Sequence, residues 1–206
     1  MRQFSAFACI DWSGAAQQHL PGLALAVAEQ GRSGPRLIAP SGGARAWSRA
    51  AMLDWLRGVA QSGEDMLIGL DLSPTLPFVD AGAYFPGLAH SPATPLALWR
   101  MVDAVCAAEA HLGANHLVDH PHFAPYFRRH GGREGALFGG GIGRLRAVEV
   151  RQRQTGIARS ASCFNLVGAA QVGKSSLTAM RLLHRLGGTI PFWPFDPPPA
   201  RGPLLI

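Results

Sequence analysis

The stretch FSAFACIDWSG at residues 4–14 decides the reading of the fold. Phe4 to Ile10 is a short continuous apolar run, and Asp11-Trp12-Ser13-Gly14 stops it in a turn, the pattern of a strand buried on both faces. A second stretch, MLIGLDLSP at 66–74, echoes it. Here an apolar run ends in Asp71, and Ser73 follows two residues later as Ser13 follows Asp11.

Between the two runs, Leu23 to Ala28 and Arg36 to Ala39 are short apolar segments separated by Pro, Gly and Ser, a spacing that predicts a three-stranded antiparallel meander with the first strand. Trp47, Met52, Trp55, Leu56 and Val59 fall near helical spacing, and Gly63 supplies a stop. A strand reached through such a helix lies parallel to its neighbour, so Met66 to Leu70 is expected beside the first strand. Further on, residues 71–95 read as a long loop, and Leu98, Val102 and Val105 mark a helix ending near Gly113. Residues 114–145, rich in His, Arg and Gly, read as an irregular, mobile insertion over the active face. Ala147 to Val150 belongs to a strand or a helix, Cys163 to Val167 reads as a strand, and Ser175 to Leu186 reads as a helix closed by Gly187-Gly188. Pro191 and Pro194 restrict the extended residues 189–196 to an edge or covering strand. The expectation is one α/β domain over residues 1–206, a mixed sheet flanked by helices.

Composition sets the outer bounds. With 48% apolar and 16% charged residues, 25 Gly and 16 Pro, the 206-residue chain is expected to be compact and loop-rich. The net charge of +6 attracts nucleic acid or another phosphate-bearing partner. Nearly all of that excess is dispersed Arg, which equally suits a solvated surface. Cys9, Cys106 and Cys163 are far apart and form no C-x-x-C pair, which argues against a disulfide framework or zinc knuckle and suits a reducing cytoplasm. No apolar stretch reaches the roughly 18 residues of a membrane span, and the first residues read as a core strand, not a signal sequence.

If the first and fourth strands are parallel neighbours, their ends lie about 4.8 Å apart, and the Asp11 and Asp71 carboxylates can share a divalent cation that cancels their repulsion. A metal so held binds a phosphate oxygen and acidifies its water, the core of phosphodiester hydrolysis. Ser13 and Ser73 are candidates to position substrate or water. The plainer reading is that Asp and Ser are ordinary turn formers.

The order of meander, helix, strand and later αβ units, with Asp11 on the first strand and Asp71 on the fourth, resembles the ribonuclease-H-like superfamily. Within it the chain is similar to a large, mostly uncharacterised bacterial family with a G-I-D-x-x-G-like start, an I-D-x-P-like second acid and a C-terminal glycine-rich turn. Ile10 to Gly14, Leu70 to Pro74 and residues 168–173 carry these elements; Arg146 and Glu149 match its R-x-x-E, and Phe164 to Gly168 its F-x-L-x-G. The resemblance implies a metal-dependent phosphodiesterase or nuclease-like hydrolase, with Mg²⁺ or Mn²⁺ on Asp11 and Asp71. Nucleases of this superfamily add an acid on a late helix, and residues 175–186 contain none. Glu149 is therefore the candidate to complete the shell or orient water, with Asp196 behind it, and Arg146 and Lys174 are candidates to steady phosphate charge. Glu149 reads equally as a solvent-facing strand residue. The fold also carries other functions, and the missing acid supports the alternative of a non-catalytic binding or scaffold domain.

Two further patterns remain. Gly168 to Ser175 fits G-x-x-x-x-G-K-[ST] and contains the only Lys, Lys174, so nucleotide binding is a second alternative. Too little chain follows for the strands and metal-binding acid of a nucleoside triphosphatase, which favours a glycine turn packing a helix on the sheet; helix-start amides with Lys174 could also hold a phosphate. His116, Asp119, His120, His122 and His130 have zinc-capable side chains but match no zinc spacing, and Arg128 and Arg129 repel a cation. They read as an exposed basic loop, with Tyr126 and Phe127 either stacking on bases or anchoring it to the core.

Overall fold

The computed structural model describes residues 2–31, 34–167 and 172–206. In chain order the elements are β1 (Ala6–Asp11), β2 (Ala24–Glu29), β3 (Arg36–Leu37), α1 (Arg49–Ser62), β4 (Met66–Asp71), α2 (Pro95–Val105), α3 (Asn115–Asp119), β5 (Arg128–Arg129), β6 (Arg133–Glu134), α4 (Ala147–Gln154), α5 (Val172–Leu186) and β7 (Leu204–Leu205). They divide into two compact units, unit 1 of Met1–Leu72 with Leu182–Ile206 and unit 2 of Ser73–Arg181.

Unit 1 holds a five-stranded mixed sheet in the order β3-β2-β1-β4-β7. β1, β2 and β3 form the antiparallel meander, while β4 runs parallel to both β1 and β7. The meander and the parallel fourth strand follow from the apolar runs and the intervening helix. Burial on both faces of β1 does not. Ala6, Ala8 and Ile10 are buried, whereas Phe7 is 41% exposed and Cys9 is also exposed. All five residues from Ala6 to Ile10 are apolar, so sequence could not reveal the alternation that a sheet with one open face imposes.

Helix α1 shows why its residues fold as they do. The Ser48 side chain accepts from the Ala51 amide at 3.1 Å, and Gly63, at φ 67°, donates its amide to the Val59 carbonyl. Between these caps Met52, Leu53, Leu56 and Val59 are buried on one stripe, each contributing about 1.5–3 kcal/mol by leaving water. Arg57 donates to the Arg185 carbonyl at 3.0 Å, which fastens α1 to the end of α5. The extended residues 189–196 make a single bridge, Phe192 to Leu205; the strand that pairs with β4 is β7, two residues long and invisible to periodicity.

Unit 2 departs further from expectation. Helix α2 stops at Val105, well before Gly113, and a short 3-10 turn follows in which His111 has a left-handed φ of 56°. Residues 114–145, expected to be an irregular insertion, carry α3 and the β5-β6 ladder and bury Leu117, Val118, Phe123, Tyr126, Phe127 and Phe138. Phe85 meets Phe123 and Tyr126 with ring centroids 4.9 and 5.1 Å apart. The stretch is core because its aromatics are buried together, a property that its many His, Arg and Gly residues hide. Cys163 to Val167 is no strand: it makes one bridge, Asn165 to Arg128, and its Cys163, Phe164 and Leu166 are buried in a turn. The loop at 72–94 has no regular element but is pinned by Arg144, which grips both Asp80 carboxylate oxygens at 2.8 Å and the Tyr84 carbonyl at 2.8 Å. Buried Arg181 donates to Asp103 at 2.9 Å and to the Gly113 carbonyl, joining α5 to α2. No helix among the described residues is long and apolar enough to cross a membrane.

Candidate functional site

Asp11 and Asp71 are register partners at the ends of parallel β1 and β4. Partners in a parallel ladder project to the same face at the same height, with neighbouring strands about 4.8 Å apart. Both residues are exposed, and among the described residues neither carboxylate has a hydrogen bond or ion pair with a side chain. The register therefore places two hard oxygen donors on neighbouring strands, neither of them ion-paired among the described residues.

The turn after Asp11 is held from within. Arg49, 1% exposed, donates through Nε and Nη2 to the Ser13 carbonyl at 3.3 and 2.9 Å, and through Nη2 to the Ala15 carbonyl. Trp12, between Asp11 and Ser13, is buried. The Ser13 hydroxyl accepts from the Ala15 amide at 3.4 Å, a turn-forming role. Sequence reading missed Arg49, although a signal existed: with Met52, Leu53 and Leu56 it completes the i, i+3, i+4, i+7 stripe that faces inward.

In unit 2, Arg146 and Glu149 form a closed pair. Glu149 is 4% exposed; its Oε2 accepts from the Arg146 amide at 2.7 Å, and its Oε1 accepts from Arg146 Nη2 and Nε at 2.7 and 3.1 Å. A Glu at the third position of α4 reaching back to the cap amide closes the helix start. Both oxygens are thus engaged at the start of α4, and Arg146, the other candidate of this pair, turns Nε and Nη2 to the same carboxylate. Glu149 is also a helix residue, not a strand residue. Ser176 donates its hydroxyl to the sulfur of Cys163 at 3.8 Å, and burial pushes that thiol up against the opposing pull of Arg146. Ser73 is half-buried in the turn that follows β4.

The remaining candidates are dispersed. Lys174 Nζ lies 2.8 Å from His130 Nε2. Residues 168–171 of the phosphate-loop-like pattern lie outside the described residues. Gly173 has a packing cause: a Cβ there would sit 2.5 Å from both the Cys163 carbonyl oxygen and Leu166 Cδ2. Asp196 accepts from the Phe192 amide at 3.0 Å and closes its own turn. Asp119 pairs with Arg129 at 3.3 Å, and the rings of His120 and His122 stack with centroids 5.2 Å apart. Among the described residues no group of three or more His, Cys, Asp and Glu side chains is arranged to hold a metal. Tyr126 and Phe127 are buried, and the Tyr126 hydroxyl donates to the Pro86 carbonyl at 2.6 Å, so they anchor the core and do not stack on bases.

Compared with protein-family models, curated proteins and solved structures, the chain finds no match in any of the three.

Proposed function

We propose that the chain is a ribonuclease-H-like, divalent-metal-dependent phosphodiesterase, a nuclease-like hydrolase of nucleic acid or another phosphate ester. The observation that carries this reading is the register of Asp11 on Asp71 at the carboxyl end of adjacent parallel strands, the edge of an open α/β sheet where ligands bind. The strand order β3-β2-β1-β4-β7, with an antiparallel meander followed by two parallel strands, supports the superfamily. The donor set fits Mg²⁺ or Mn²⁺: two exposed carboxylates with no ion pair among the described residues, and water for the other positions. When bound there, such an ion acidifies a water and offsets charge on a phosphate oxygen. The protein's part is to hold the two carboxylates at one height, while Arg49 holds the turn that leaves Asp11.

The test combines Mn²⁺ titration calorimetry with cleavage of labelled DNA and RNA. Wild type is expected to bind Mn²⁺ and to cleave, and Asp11→Asn and Asp71→Asn to lower cleavage by about 100-fold or more. Wild type and Asp11→Asn equally inactive on every substrate, with no heat from Mn²⁺, would leave a non-catalytic binding or scaffold domain instead.

A further inference from the structure

The positive charge of the chain is not evenly shared. Between Ser73 and Arg181 there are eleven Arg and Lys against six Asp and Glu, while the rest of the chain has eight against seven. Within unit 2, Arg128, Arg153 and Arg159 line one cavity of about 200 Å³ with Ser160, Asn165 and Phe138.

The fold assembles these arginines from separate elements. The Arg128 backbone pairs with Phe164 and Leu166 at 3.0 and 2.9 Å, which lays residues 164–166, the end of the segment 160–166, beside β5. Arg153, in the last turn of α4, donates to the Ser160 carbonyl at 2.7 Å and fixes the end of the helix on the same segment. Arg159, immediately before it, has no hydrogen bond or ion pair among the described residues. Glu134 lies 3.7 Å from Arg128 Nε, beyond good hydrogen-bond range. Arg128 Nε is itself buried without a hydrogen-bond partner.

Three arginines that line one small cavity raise its positive potential, and a buried N–H without a hydrogen bond is costly, so the arrangement favours an anion. Three positive charges less the one on Glu134 suit a dianion. A phosphate monoester carries about −1.5 to −2 at neutral pH, and guanidinium forks match its oxygens in pairs. A carboxylate or a phosphodiester supplies only one charge. Drug-sized ligand sites are about 300–1,000 Å³, so a cavity of 200 Å³ takes a phosphate and a sugar-sized group, not a whole nucleotide. We propose that unit 2 carries a binding pocket for a terminal phosphate monoester, built from Arg128, Arg153 and Arg159. This proposal does not rest on the Asp11 and Asp71 reading and needs no metal.

Calorimetry of the full chain with inorganic phosphate and ribose 5-phosphate, without divalent ions, tests it. One site per chain is expected, at least tenfold weaker in Arg159→Ala, abolished in Arg159→Glu and unchanged in Arg151→Ala and in Asp11→Asn. Oligonucleotides with a 5′-phosphate or a 5′-hydroxyl separate the two sources of such a group: binding by the phosphorylated strand alone assigns the pocket to strand ends, and binding by ribose 5-phosphate assigns it to small phosphates. Equal binding of the two strands together with no binding of either small phosphate, equal binding of dimethyl phosphate, or wild-type affinity in Arg159→Ala would each overturn the proposal.

Discussion

Replacing Arg49 by Ala removes the guanidinium that holds the Ser13 and Ala15 carbonyls from a position only 1% exposed. Hydrogen bonds from a charged donor contribute about 1.5–3 kcal/mol each. Both carbonyls belong to partly exposed residues and regain water in part, so the loss for the two is expected near the lower end, about 3 kcal/mol. With a urea dependence of about 2 kcal/mol/M for a small protein, the unfolding midpoint of unit 1 should fall by about 1.5 M. Arg49→Lys keeps the charge but not the fork, and should recover about half of that loss. Arg45→Ala, an exposed neighbour, should stay within about 0.5 kcal/mol of wild type. Urea melts followed by the far-ultraviolet dichroism read all three. A shift below 0.5 M for Arg49→Ala, or full recovery by Lys, would refute the view that this side chain clamps the turn by its paired donors.

The hydrogen bond from Arg144 holds the Asp80 carboxyl below the usual carboxylate range, against partial burial, so this pair contributes stability above the ordinary Asp value of about 3.9 that is lost as pH falls through the depressed folded value. Asp80→Asn should be less stable than wild type near pH 7 by about 1 kcal/mol and flatter in thermal melts below pH 4; parallel acid limbs for the two proteins would count against it. Cys106 and Cys163 are buried, and burial pushes the Cys106 thiol up to about 11, whereas Cys9 is exposed. One thiol per folded chain should therefore react quickly with an aromatic disulfide reagent at neutral pH, and Cys9→Ser should remove that phase; a fast phase persisting in Cys9→Ser would contradict the burial of the other two.

The parts of the fold legible in sequence are those written as uninterrupted local patterns. Asp11 and Asp71 each terminate an apolar run, and the Trp47 to Val59 spacing between them announces a helical crossover, so their neighbourhood on parallel strands followed from the letters. Alternation in β1 was hidden because Ala, Phe, Ala, Cys and Ile all read as apolar, whichever face is covered. β7 was hidden because two residues carry no period. Arg49 and Arg181 were missed since their partners are mainly backbone carbonyls, which have no signature in sequence, and charged residues are read as surface by default. Arg146 and Glu149 stand out in the sequence, but their mutual pairing at the start of a helix does not. Three residues apart they meet, yet only the folded chain reveals that the carboxylate is spent on its own helix start. The three arginines of the unit 2 cavity lie on two short elements and a loop, a convergence no spacing rule encodes.

The ladder between β4 and β7 joins Leu67 to Leu204, across nearly two thirds of the chain, whereas β1 and β2 are joined through residues 12–23 alone. Each doubling of a closed loop adds only about 0.6 kcal/mol of entropy, but pairings so distant in sequence slow the search for them. The last edge of the sheet is thus kinetically the hardest to add, and any ordering of residues 73–181 beforehand shortens the tether that must close. Refolding is expected to show the hairpin signal of β1 and β2 ahead of protection of the Leu205 and Ile206 amides.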